Sequence, residues 1–203
     1  MENTERLDTR IVILGDENTT AIGDVKAMGW VGRVLARTPQ TDPTIELITL
    51  ALPDDTSLSL SKRWQAEVTP RVNAIGRTRV AIALSHHDIR AGLSTSRSRL
   101  NLATVLDDAL KKGFEPFVIG PTPHKEAALN PDVEQLSWGF EDVCARRNIP
   151  FVDCFHPLVA HEGWNTEIQN SPSGLPGQIG YGLVAWLVLN RGWIAWLGIE
   201  ETE

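Results

Sequence analysis

Carboxylates and imidazoles recur just after the apolar runs of this chain, and these are the groups that move protons and ligate hard metals. Asp16 and Glu17 follow Ile11-Val12-Ile13-Leu14; Asp54 and Asp55 follow a run ending at Leu50; Ser85, His86, His87 and Asp88 follow Val80 to Leu84; His156 follows Pro150 to Cys154. If the runs are strands of an open parallel sheet, the loops after their ends converge on one crevice, the place where ligands bind in such sheets. The convergence says more than any single residue. Glu17, His87 and Asp54 are expected to carry chemistry there, with Asp16, Asp55, Ser85, His86, Asp88 and His156 in support.

Plainer duties compete with these. Short acidic side chains accept backbone N–H bonds in turns, the expected work of Asp16 and Asp88 and an alternative for Glu17. Asp before a helical pattern caps it, an alternative for Asp54 and Asp55. Neighbours on an extended segment point to opposite sides, so only one of His86 and His87 is expected to enter the crevice, and His87 is the choice. His124, after a Pro-Thr-Pro turn, is expected in solvent, and His161 on a helical surface.

The elements that must position these groups follow from periodicity. Strands are predicted near Arg10–Leu14, Thr44–Leu50, Arg79–Leu84, Glu115–Ile119 and Pro150–Cys154, separated by helices near Val25–Ala36, Ser57–Thr69, Ser96–Lys112 and Pro131–Arg147, with a last helix from Gly177 to Asn190. Strands alternating with helices point to βα units and a parallel sheet. Asn130-Pro131 reads as a helix start, with Asn130 as cap. His156 to Pro176 reads as an irregular loop of about twenty residues, a length that is usually functional or mobile.

The 203 residues suffice for one α/β domain with a full core. It is expected over 10–198, between a polar tail at 1–9 and an acidic tail at 199–203. A net charge of −7 without a Lys/Arg cluster excludes a nucleic-acid backbone as partner. No stretch reaches the ~20 apolar residues of a membrane span, and the polar start lacks the apolar segment of a secretory signal, so a cytoplasmic location is expected. Cys144 and Cys154, the two cysteines, fit neither CxxC spacing nor a disulfide framework and are expected to be buried. Trp186, Trp193 and Trp196 are expected to cap the core or to make a homodimer contact.

Gly15-Asp16-Glu17, read on to Gly29-Trp30-Val31, resembles the opening block of the SGNH hydrolases, the GDSL esterases and lipases. The resemblance runs from Ile11 to about Leu189. In that family the third residue is the nucleophilic serine; here it is Glu17. Asp54-Asp55-Thr56 matches the second block, with Asp54 where the family has a glycine whose N–H helps to form the oxyanion hole. Ser85-His86-His87-Asp88 matches the third block, with His87 in place of the asparagine that is the other oxyanion donor. In the last block Pro176-Gly177 through Tyr181 fits, but Leu175 stands where the histidine belongs and Pro172 where the aspartate belongs. Asp153-Cys154-Phe155-His156 repeats the Asp-x-x-His spacing but reads better as the last strand.

The resemblance implies a single doubly wound α/β domain, a five-stranded parallel sheet with helices on both faces. It also implies hydrolysis of small ester or acyl substrates, which the residues contradict: a serine hydrolase needs an activated hydroxyl and an oxyanion hole, and Glu17 offers no hydroxyl. Three expectations follow. The chain is an esterase-like hydrolase whose triad has degenerated, or a non-catalytic binder of a small ester or acyl ligand or a partner loop. The third is a rebuilt hydrolase in which Glu17, Asp54 and His87 activate water directly or through a divalent metal. No resident cofactor is expected.

Overall fold

A computed structural model describes residues 8–40 and 43–199, so residues 1–7 and 200–203 of the two expected tails lie outside the described residues. Five strands form one sheet: β1 (Thr9–Gly15), β2 (Ile45–Ala51), β3 (Arg77–Ala83), β4 (Glu115–Ile119) and β5 (Phe151–Val152). All pairs are parallel and the order is β2-β1-β3-β4-β5, with Gly15 level with Ala51 and Ala83. The order reverses at β1, so its carboxyl end opens between two loops that leave in opposite directions.

Strand residues alternate between two cores, because successive side chains point to opposite faces. Ile11 and Ile13 face Trp30 and Val34 of α1 (Gly29–Leu35) and Tyr181 and Val184 of α8 (Gln178–Val188). Val12 and Leu14 face α2 (Ser57–Val68), α4 (Thr95–Lys111) and α5 (Asn130–Ala145) through Leu60, Trp64, Leu102, Leu106 and Phe140. The domain is therefore doubly wound, as the resemblance implied, on the parallel sheet that the periodicity predicted. Leu60, Trp64 and Val68 recur every fourth residue along α2, which turns one stripe of that helix onto the sheet.

Three local expectations are corrected. The helix predicted from Val25 begins at Gly29, because the Asp24 carboxylate takes the N–H groups of Lys26, Met28 and Gly29 into a tight turn. Asn130 does not cap α5; it clamps the backbone of His124, accepting its N–H at 2.8 Å and donating to its carbonyl at 3.2 Å. The long loop is largely helical, holding α6 (Phe155–Val159) and α7 (Glu162–Asn170). Pro157 lies in the first turn of α6, where no N–H is needed. His161 caps α7, and Trp164 and Ile168 anchor it one turn apart. A short helix α3 (His87–Arg90) follows β3, and α9 (Ile194–Leu197) comes last.

Trp193 and Trp196 cap the core, their rings 5.6 and 4.9 Å from that of Phe117, whereas Trp186 is exposed. Cys144 and Cys154 are free and buried, and burial pushes both thiols up, that of Cys144 to about 12. No helix among the described residues is long and apolar enough to cross a membrane.

Candidate ligand site at the end of the first strand

β1 ends on Gly15 because nothing larger fits: a Cβ there would lie 2.5 Å from both the Ala83 carbonyl oxygen and the Thr19 side chain. The chain then enters a 3₁₀ turn, Glu17–Thr19, opened by Asp16. Asp16 is fully buried and works as a tie, its two oxygens accepting the N–H of Asn18 at 2.9 Å and of Ser85 at 3.0 Å. Asp88 does the same between β3 and α2, accepting the Ser57 N–H at 2.7 Å. Both carry the structural duty expected of short acids in turns.

Glu17 reaches across both neighbouring strand ends. Its Oε1 accepts from His87 Nε2 at 2.8 Å and its Oε2 accepts the backbone N–H of Asp54 at 3.0 Å. The His87 Nδ1 lies 3.6 Å from Asp54 Oδ1, and Asp16 Oδ2 is 3.9 Å from Nε2. The three residues expected to meet do meet. Neither Asp54 nor Asp55 caps α2: Thr56 does, accepting the Ser59 N–H, while Asp55 pairs with Arg63 and Asp54 sits exposed with φ +56°. That left-handed conformation favours glycine, the residue expected at this place from the family pattern.

Adjacent histidines were expected to point apart, but the backbone turns into α3 at this point instead of staying extended. His86 occupies the N-cap and His87 the first helical position, so both rings line one cavity, their centroids 4.5 Å apart. The cavity has a volume of about 300 Å³ and is mostly polar. Its far wall was not foreseen. His124, expected in solvent, packs on His86 at 4.3 Å, and Arg90, Lys125 and the buried Trp164 complete that side. Long-range bonds bring this wall in, from Arg90 to His124, from Trp164 to the Pro123 carbonyl and from Gln169 to the Lys125 carbonyl, and they join segments that no sequence pattern connects. Ser85 contributes its backbone N–H, while its hydroxyl is buried against a smaller apolar cavity next door.

His156 is not part of the cluster. It lies on α6, bonded to Asp153 at 3.0 Å and Glu134 at 3.1 Å and stacked on Trp138, and it does not line this cavity. Asp153, just after β5, and Glu134 and Trp138 of α5 hold it, so its ring faces α5 rather than the strand ends. Leu175 does line the cavity, and the Pro172 carbonyl accepts from Lys125 Nζ at 3.2 Å. The chain before α8 is fixed by Glu167, whose carboxylate accepts the N–H groups of Gly177, Ile179 and Gly180 at 2.7–2.9 Å.

The charges reinforce one another. Burial pushes the Glu17 carboxyl up, but the His87 hydrogen bond and nearby N–H groups outweigh it and hold the group at about 2. Burial lowers the His87 ring, yet the bond to Glu17 and the charges of Asp16, Glu17 and Asp54 raise it above 6.5. Burial and the neighbouring His87, His124 and Arg90 charges bring His86 to about 3, so that ring is neutral. Burial raises the Asp16 carboxyl.

The pair's contribution to stability is bounded on both sides. The Glu17 share is present above 4.5 and fades as pH falls toward 2; the His87 share is complete below 6.5 and is lost as pH rises through its raised value. Following the His87 ring protons by NMR is expected to give a pKa above 6.5 that drops in Glu17→Gln. An unchanged value in that variant would mean that the pair does not form.

One donor atom each from Asp16, Glu17 and His87 lies within 4.8 Å of the others, a spacing that a cation could bridge. The fit is poor. Both Asp16 oxygens already accept N–H bonds, and the His87 Nε2 and Glu17 Oε1 are already bonded to each other.

A parallel sheet of this order, with polar groups gathered where β1 ends beside the reversal, defines a doubly wound α/β fold with its ligand crevice at the switch point. The chain belongs to the GDSL-like lipase/acylhydrolase family, whose model matches residues 13–182. Solved structures with the same fold include the lipase/acylhydrolase from Enterococcus faecalis, 19% identical with a TM-score of 0.73, covering 96% of this chain and 99% of that one. The psychrotrophic esterase EstA from Pseudoalteromonas sp. is 17% identical with a TM-score of 0.70, covering 94% and 100%. An acetylxylan esterase from Geobacillus stearothermophilus is 13% identical with a TM-score of 0.71, covering 98% of both chains. At these identities the likeness is one of fold. No curated protein matches the chain.

Proposed function

We propose that this member of the GDSL family is not a serine esterase, and that its cavity binds a small polar or acyl compound without hydrolysing it. One observation carries the reading: a carboxylate stands where the nucleophile belongs, with both of its oxygens bound, by His87 at 2.8 Å and by the Asp54 N–H at 3.0 Å. These two donors match the positions that bind the oxyanion in the family. Glu17 fills that place with a charge of the same sign as the transition state, so ester hydrolysis lacks both its nucleophile and its oxyanion site. Leu175 supplies no base and Pro172 no carboxylate to orient one.

A second reading, a rebuilt hydrolase that uses water or a metal, draws on the 4.8 Å grouping of Asp16, Glu17 and His87. One experiment separates the two. The wild-type protein is treated with a fluorophosphonate probe and assayed on short p-nitrophenyl esters, with and without divalent metals. No serine is expected to be labelled, and turnover is expected to match that of an unrelated control protein. Stoichiometric labelling of a serine would overturn the proposal, and metal-dependent turnover would select the second reading.

A further inference from the structure

The two donors that hold Glu17 are built independently of it. The His87 side chain is only 7% exposed, its ring is packed on His86, and its Nδ1 faces Asp54. The Asp54 N–H is aimed by a turn that the Asp55 N–H closes onto the Leu52 carbonyl at 3.2 Å. Together they present a backbone N–H from the loop after β2 and a ring N–H from α3, both converging on one carboxylate and opening onto about 300 Å³ of cavity. Two convergent N–H groups make a strong receptor for a planar carboxylate.

We propose that the Asp54 N–H and His87 Nε2–H form a carboxylate-binding site that the chain fills with its own Glu17, so that the wild-type cavity admits neutral acyl compounds and rejects free small carboxylates. The inference rests on the reading of the cavity as a non-hydrolytic binding site and names the ligand class that this site selects. An incoming carboxylate meets the Glu17 charge and finds both donors taken. Without the Glu17 side chain, the His87 donor, 7% exposed, and the more exposed Asp54 N–H lose the acceptor they share, which a carboxylate supplied from solution replaces.

Acetate is the probe, titrated against chloride at constant ionic strength and followed through the His87 ring signals and the melting temperature. Glu17→Ala is expected to saturate in millimolar acetate and to melt higher in it, with wild type binding at least about tenfold more weakly. Glu17→Ala/His87→Leu is expected to lose the response. A folded Glu17→Ala protein indifferent to about 100 mM acetate, or a wild type that binds it equally well, overturns the proposal. If Glu17→Ala does not fold in chloride, Glu17→Ser opens the same space; folding of either variant in acetate but not in chloride supports the site, and failure of both in both salts overturns it. Ester turnover by the wild type would refute the non-hydrolytic reading while leaving the acetate result to stand or fall alone.

Discussion

Glu17→Ser is expected to leave the protein without ester turnover above that of an unrelated control, although it restores the residue type that the family uses as nucleophile. A serine side chain ends about two carbon–carbon bonds short of the Glu17 carboxylate, so its hydroxyl retreats by roughly 2.5 Å from the position that reaches His87. The hydrophobic Leu175 lines the cavity on the side where a base is needed. A triad works as a unit, and losing its nucleophile or base costs about 10⁶-fold in kcat. Turnover clearly above the control would show that His87 already serves as base. Adding Leu175→His and Pro172→Asp to the serine variant supplies the missing groups, and any gain in that background measures what the added base and its orienter are worth.

Asp24→Ala is expected to cost the fold about 3–5 kcal/mol, the usual penalty for stripping one partner from a buried ion pair. The Asp24 side chain is fully buried, accepts three backbone N–H groups at 2.9–3.1 Å, and pairs with Arg33 through both oxygens. Truncation leaves those N–H groups unpaired and Arg33, its side chain only 12% exposed, without its counter-charge. For a chain of this size the loss lowers the melting temperature by roughly 6–20 °C, readable by calorimetry. Arg33 and the turn N–H groups hold the Asp24 carboxyl well below the usual carboxylate range, so its contribution is present above pH 3.8 and disappears on acidification below it. A shift of only a degree or two in the alanine variant would mean that the turn before α1 is held by packing instead.

Much of this was legible before any coordinates. The five β-branched runs gave the strands because fully buried parallel strands read as continuous apolar segments, and the acids and histidines after them located the crevice. Glu17, His87 and Asp54 were found because the reversal of strand order at β1 sets the ends of β2 and β3 on either side of it. What stayed hidden depends on long-range contacts. Arg90 enters the site on α3 beside His87, while His124 and Lys125 are brought in by bonds to Arg90 and to the segment 164–172, far apart in the chain. Asp24 looked like a residue just before a helix, and nothing in its neighbours announces that Arg33, nine positions on, folds back to it. Helix α7 was masked by Gly163 and the surrounding prolines, although its Trp164 and Ile168 have helical spacing.

The pairing of α1 with α8 sets an order on folding during synthesis. Trp30 and Val34 of α1 pack on α8, and the Tyr181 hydroxyl donates to the Ile22 carbonyl at 2.8 Å, across 159 residues. A nascent chain therefore carries an uncovered apolar stripe on its first helix until residues 178–188 have left the ribosome. Such high-separation contacts slow folding and leave apolar surface open to misassociation in the interval. The layer built from α2, α4 and α5 completes itself earlier, so the half of the sheet that faces α1 is the last to close.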